Sequence, residues 1–281
     1  MYVLFLFPSI MTLAYKYFPV SASTTNDIFS IREKKFLDCT RGQNVAPARL
    51  PLTCSEDYRG LCWKSCPKCG STSLSHTFRN KKKVVIEKCD FLGVQAILLF
   101  TRPVIERFMS AYGQITFQGY KRLEKRREAE RNKYALVDPN KNARKRLSLF
   151  LDAMEDPIKR NLIPDVYHAD PMINFYEDVQ SCLQLTLKST ETVSVPELFI
   201  LNLDKMDEEL SVVSNFLNIS LPRFQFVTRH SGTKVQKMKK CGKCQMQFAA
   251  RSTRYTTEQR ERILKLYEKD VDCFSTSVYE R

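Results

Sequence analysis

The chain lacks the G-x-x-x-x-G-K-[ST] spacing of an ordinary nucleoside triphosphatase, so a loop that binds an anion here points away from triphosphates. It has no internal repeat and no low-complexity tract, which leaves out solenoids and biased linkers. The N-terminal apolar stretch, Tyr2 to Tyr15, stops at Lys16 and is shorter than the ~20 residues a spanning helix needs. No basic residue precedes it, unlike a standard signal sequence. A helix continuing to Val20 with Lys16 snorkelling could just span. Val20-Ser21-Ala22 alternatively offers the small residues that a signal peptidase takes. Either way residues 1–22 read as a signal peptide or signal anchor for the secretory route, not as core.

What is present points to an anionic partner. The 281 residues suffice for one large α/β domain or two small ones, and 43% hydrophobic content is ordinary for a globular chain. Forty-five Lys and Arg stand against 31 Asp and Glu, a formal net charge of +14. Such an excess suits nucleic acid, an acidic membrane or an acidic polysaccharide. From Lys121 to Arg146, 11 basic residues face 4 acidic ones, half the total excess in 26 residues. A second cluster runs Lys234, Lys237, Lys239, Lys240, Lys243 without an intervening acid. A solvated helical face, tied by pairs such as Glu124 with Arg127, is the plainer reading of the first cluster. Ten cysteines, an even number, fit oxidised pairs of unspecified connectivity. Asn218-Ile219-Ser220 is a glycosylation sequon, consistent with a lumenal side.

The segment Cys66-Pro67-Lys68-Cys69-Gly70-Ser71-Thr72-Ser73 precedes a helix predicted over 71–80. Gly70 permits a tight turn and close backbone approach to a ligand. Hydroxyls and free N–H groups of the first helical turn favour an oxyanion, and Lys68 adds a point charge. The same residues also read as a zinc knuckle. With Cys241-Gly242-Lys243-Cys244 they supply four thiolates, the set of a closed structural site. The pairs lie 175 residues apart, far beyond the ~15–20 usual between ribbon knuckles.

Strands are predicted over 59–65, 84–86, 94–101 and 198–203. Helices are predicted over 104–117, 121–134, 143–154, 172–187, 207–217 and from Thr256 or Thr257 to Tyr267. Asp138-Pro139 marks a break, Pro157 and Pro164 bracket a loop, and residues 23–57 read as a stalk or loosely packed lead-in. Strands alternating with helices imply an α/β fold, a P-loop-like parallel sheet flanked by helices on both faces. Arg102 falls at the carboxyl end of the strand ending at Thr101, where ligands of such sheets bind. Arg107 and Ser110, three apart, share a helical face, so two guanidinium groups and a hydroxyl make a second oxyanion site. Arg107 paired with Glu106 facing solvent is the bland alternative.

Together these two sites resemble those of the Golgi carbohydrate sulfotransferases. Pro67 to Thr72 is similar to the family's 5′-phosphosulfate loop, P-K-x-[GA]-[ST]-[ST]. Arg102, Arg107, Ser110, Ala111 and Tyr112 match its R-x-P-x-x-R-x-x-S-A-[YF] spacing, with the proline displaced by one to Pro103. His168-Ala169-Asp170-Pro171 resembles its H-x-x-P element, and 203–217 and 255–270 resemble later blocks, so the likeness spans roughly 60–274 within a sulfotransferase-like domain at 58–281. Only 34 positions separate Lys68 from Arg102, fewer than in many relatives, which trims the acceptor region.

The resemblance implies 3′-phosphoadenosine 5′-phosphosulfate (PAPS) as sulfate donor and no metal. Pro67, Lys68, Cys69, Gly70, Ser71, Thr72 and Ser73 would hold the phosphosulfate, with Lys68 on the bridging oxygen. Arg102 and Ser110 would hold the 3′-phosphate, with Arg107 joining them or bracing the helix. The base candidates are Glu87, His76, Asp90 and His168, with Glu87 slightly favoured. Lys121, Arg122 and His168 would meet an acidic glycan or glycoprotein acceptor. Asn218 would carry a glycan, and no nucleic acid is involved. The implied setting is the Golgi lumen, as a single-pass type II membrane protein, or secretion if the N-terminal segment is cleaved. The alternatives are a zinc-ribbon nucleic-acid-binding protein built on Cys66, Cys69, Cys241 and Cys244, or an inactive lumenal relative that binds a glycan.

Overall fold

The computed structural model describes residues 21–39, 52–55, 57–58, 60–78, 84–86, 89, 91–123, 143–163, 165–188, 195–224 and 254–274. Its centre is β4, Ala96–Thr101, in which every residue is buried. Successive strand residues face opposite sides, so complete burial requires cover on both faces of the sheet. Strand β4 pairs in parallel with β2, Leu61–Ser65, and with β5, Glu197–Asn202. Strand β1, Leu52–Cys54, pairs antiparallel with β2 and with β3, Val84–Ile86, giving the order β3-β1-β2-β4-β5.

The fold is therefore α/β with a mixed sheet, which corrects the expectation of a parallel one. Six residues, 55–60, separate β1 from β2, too few for the crossover of a dozen or more residues that a parallel pair needs. Cys54 and Cys62 lie opposite one another in this pair and form a disulfide.

The lead-in expectation is also corrected. Residues Ser21–Asp38 form a helix, α1, and β1 belongs to the sheet. Phe29 and Phe36 of α1 are buried, and the Phe29 ring meets Phe199 of β5 edge-on at 5.4 Å. Arg32 donates to the carbonyl of Ile200 and to Glu209, both at 2.8 Å. Burial pushes the Glu209 carboxyl upward, against the pull of the Arg32 charge beside it. A disulfide from Cys39 to Cys273 ties the end of α1 to the far end of the chain.

Helix α2 spans Ser71–Thr77 and α3 Val104–Leu123, so the helix expected to start at Lys121 is, as far as the description reaches, the end of α3. Helix α4 spans Ala143–Glu155. The loop expected between Pro157 and Pro164 holds a short helix, α5, Pro157–Asn161, because Pro157 sits in its first turn and Asp156 caps it by accepting from the backbone of Ile158 and Lys159. Helix α6 is Ile173–Lys188, α7 Met206–Leu217, α8 Thr257–Leu266 and α9 Glu268–Phe274. Phe108, Met109, Tyr112 and Ile115 recur at helical spacing along α3 and pack with Leu147, Phe150, Ile263 and Tyr267 as a second core beside the sheet.

Among the described residues no helix is long and apolar enough to cross a membrane. Residues 1–20, both Cys241 and Cys244, the lysine cluster 234–243, Asp138-Pro139 and most of the basic stretch 121–146 lie outside the described residues.

Candidate functional site

Strand β2 ends at Ser65, and the chain turns through Cys66–Gly70 into α2. The turn is held from below. The Cys66 amide donates to the Tyr176 hydroxyl at 2.9 Å, and that hydroxyl donates to the Phe100 carbonyl of β4. Burial raises the Tyr176 phenol far above its ordinary range, so it stays protonated and can serve as this bridge. The Cys69 amide returns to the Cys66 carbonyl at 3.2 Å, and a disulfide joins Cys66 to Cys69. Between them Lys68 adopts φ 70°, a left-handed conformation that a non-glycine residue holds only when its surroundings enforce it. Gly70 has φ 82°, and a Cβ there would lie 2.6 Å from a methyl of Leu203, just beyond β5. Glycine is needed at 70 for both conformation and space.

Strands β2 and β4 are adjacent and parallel, with Ser65 opposite Phe100. Adjacent strands lie roughly 4.8 Å apart. Lys68 and Arg102 therefore leave the same carboxyl edge on neighbouring strands. Arg102 is the first residue after β4, and its Nε and Nη2 reach Glu106 at 3.3 and 3.2 Å. Arg107 is 1% exposed, and its Nε donates to the Pro67 carbonyl at 3.2 Å. Its guanidinium stands 5.9 Å from the Phe175 ring centre, and its Nη2 has no hydrogen-bond partner among the described residues. Arg107 thus braces the loop and is not the solvent-facing partner of Glu106. Ser110, half-buried, lies about one turn further along α3.

His168 lies in a 3₁₀ turn, Val166–Ala169, with its ring 4.2 Å from that of Tyr167. Burial lowers its pKa below the ordinary imidazole value, and the charges of Lys68 and Arg107 lower it further against Asp165. It is neutral near pH 7, with a buried Nδ1 that has no hydrogen-bond partner among the described residues. This turn is anchored from the C-terminal helices. Tyr267 donates its hydroxyl to the Ala169 carbonyl, and Asp270 accepts the amides of Met172 and Ile173 at 2.6 and 2.9 Å. Burial pushes Asp270 up to about 6, against those two hydrogen bonds and the Arg107 charge.

A cavity of about 210 Å³ opens beside Arg102, between the carboxyl ends of β4 and β5 and helices α8 and α9. Glu106, Asn202, Tyr255, Arg260 and Asp270 are among its polar walls.

The structure thus gathers Lys68, Gly70, Arg102, Arg107 and His168, with Ser71 exposed and Ser73 buried at the start of α2. Pro67 and Cys69 shape the turn. Thr72 and His76 belong to α2, and Lys121 and Arg122 to the last turn of α3, but their side chains lie outside the described residues, as do Glu87 and Asp90. Asn218 is exposed and caps α7 with φ 51°. Cys66 and Cys69 bond to each other, which occupies two of the four sulfurs that the zinc alternative requires. No group of three His, Cys, Asp or Glu side chains suited to a metal occurs among the described residues.

Tyr176 had no sequence signal as a site residue, and Tyr255 and Arg260 stood only within the block at 255–270. Tyr267 and Asp270 stood only in a closing helix block, where their three-residue spacing hints at one shared face. Comparisons of this chain with protein-family models, curated proteins and solved structures find no match.

Proposed function

We propose that this protein transfers a sulfuryl group from PAPS to a hydroxyl or amine of a carbohydrate, an acidic glycan by the chain's charge, on a sulfotransferase-type phosphate-loop fold. The observation that carries this reading is the shared sheet edge. Lys68 and Arg102 follow adjacent parallel strands, so one nucleotide can meet both. One further feature suits an anion there: a buried guanidinium nitrogen of Arg107 with no hydrogen-bond partner among the described residues.

Bound there, PAPS supplies the sulfuryl group. Lys68 faces the oxygen that bridges phosphorus and sulfur and steadies its negative charge as the sulfur–oxygen bond breaks. The new bond forms from sulfur to the acceptor oxygen or nitrogen, whose proton goes to a base. The electron pair leaves with 3′-phosphoadenosine 5′-phosphate (PAP). Arg102 and Ser110 hold the 3′-phosphate, and Arg107 fixes the Pro67 carbonyl and with it the loop. Of the base candidates, His168 is neutral and close enough to Lys68 and Arg107 to feel their charges. The four disulfides among the described residues fit an oxidising compartment such as the Golgi lumen.

The test is transfer of radiolabelled sulfate from PAPS to a panel of glycosaminoglycans. Incorporation that Lys68→Ala abolishes supports the reading. Glycan retention that Lys68→Ala leaves unchanged, with no incorporation by the wild-type chain, favours a binding protein instead.

A further inference from the structure

We propose that Cys66 and Cys69 are positioning residues for Lys68. Their disulfide closes a ring around Pro67 and Lys68 that holds the ammonium at the sheet edge, so the anion site is complete only in the oxidised chain. This rests on the donor proposed above and makes its binding depend on the redox state of one cysteine pair.

Lys68 needs such a constraint. Its φ of 70° is a conformation that a residue bearing a Cβ keeps only while its surroundings enforce it. Two hydrogen bonds fix the approach to it. The Cys66 amide is held by the Tyr176 hydroxyl, and the Pro67 carbonyl by Arg107. Pro67 has no N–H with which to reinforce the turn. Beyond Lys68, the Cys69 amide turns back to the Cys66 carbonyl at 3.2 Å, and the disulfide keeps those two residues together. Both cysteines are fully buried. The Cys66 sulfur lies 3.9 Å from the Phe100 carbonyl on β4, and the Cys69 sulfur 3.7 Å from that of Met172. The ring is thereby fastened to the carboxyl edge from which Arg102 leaves. The other disulfides join distant elements: Cys39 to Cys273 of α9, Cys54 of β1 to Cys62 of β2, and Cys89 to Cys182 of α6. None of these three encloses the anion loop.

Opening the pair takes a dithiol. A thiolate of the reductant attacks one sulfur, the S–S bond breaks, and the other sulfur leaves as a thiolate that takes up a proton. The reductant's second thiol then displaces the first cysteine, so two electrons pass to the pair and the reductant ends as a disulfide. In a compartment rich in such reductants the cysteines stay as thiols and Lys68 loses this constraint. In an oxidising compartment the ring closes as the chain folds.

Calorimetry of the full chain with PAP and with adenosine 3′-monophosphate, which lacks the 5′-phosphate that the loop would meet, tests the assignment. Cys66→Ala with Cys69→Ala is expected to weaken PAP about tenfold or more and adenosine 3′-monophosphate by much less. Cys54→Ala with Cys62→Ala, which removes the disulfide between β1 and β2, should leave both affinities as in the wild type. Thermal melting identifies the folded variants, and Cys69→Ala alone replaces the double change at the loop if that does not fold. If the wild-type chain binds PAP and the folded ring-opened variant binds it equally well, or loses both ligands to the same extent, the positioning role is overturned and the proposed function stands. A wild-type chain that binds no PAP overturns the function, and this role with it.

Discussion

Gly70 is fixed by two independent constraints, its φ of 82° and the Leu203 methyl 2.6 Å from any added Cβ. Gly70→Ala should therefore destabilise the chain by about 1–3 kcal/mol, read from the shift of the denaturation midpoint. Adding Leu203→Ala should recover part of that loss, because the second change removes the obstructing methyl. The sequence made Gly70 legible as a tight turn but could not show Leu203, which comes from a strand end 133 positions away. Arg107 shows the same limit. Its spacing marked it as an anion ligand or a brace, and only burial beneath the Pro67 carbonyl distinguishes them. At Asp270 the folded chain holds its proton up to about pH 6, while the unfolded chain releases it near 3.8. Between those values the folded state binds more protons, so this residue's stabilisation falls as pH rises, by up to roughly 3 kcal/mol, and then levels off. Asp270→Asn should remove that component of the pH profile between 4 and 6. An unchanged slope in urea titrations across that range would contradict the assignment.

At the level of helices and strands, elements set by local chemistry are legible in the sequence and those set by distant contacts are not. The largely apolar β4 and the amphipathic α3 were legible from periodicity. Thr256 was legible as a cap, and it forms a capping box with Gln259, each accepting the other's backbone amide. Gln259 also donates to Ser148 of α4 at 2.9 Å, so the cap fastens α8 to its neighbour. Thr256→Ala should cost about 1 kcal/mol, measured by thermal or urea unfolding. Helix α1 was not legible. Its composition is polar and mixed, and what orders it is Arg32 reaching Ile200 and Glu209 and Phe29 meeting Phe199. Strand β1 was hidden for a similar reason, since three residues show no period and its place follows from pairing with β2.

Across the whole molecule, the site is assembled from four stretches of chain: the loop after β2, the start of α3, the 3₁₀ turn at 166–169, and the helices near the C-terminus. The last of these carries no anion-binding motif, yet Tyr267 and Asp270 hold the segment that sets His168 beside Lys68. The Cys39–Cys273 disulfide closes a span of 234 residues around this arrangement. Replacing both cysteines with serine should lower stability by about 2–5 kcal/mol and be read as a fall in melting temperature. The most direct test of the central claim is calorimetric titration of the full chain with PAP. Micromolar affinity, about −8 kcal/mol, is expected, with loss on Lys68→Ala and on Arg102→Ala alike. Binding that is absent, or that survives both substitutions, would contradict a single nucleotide held at both strand ends.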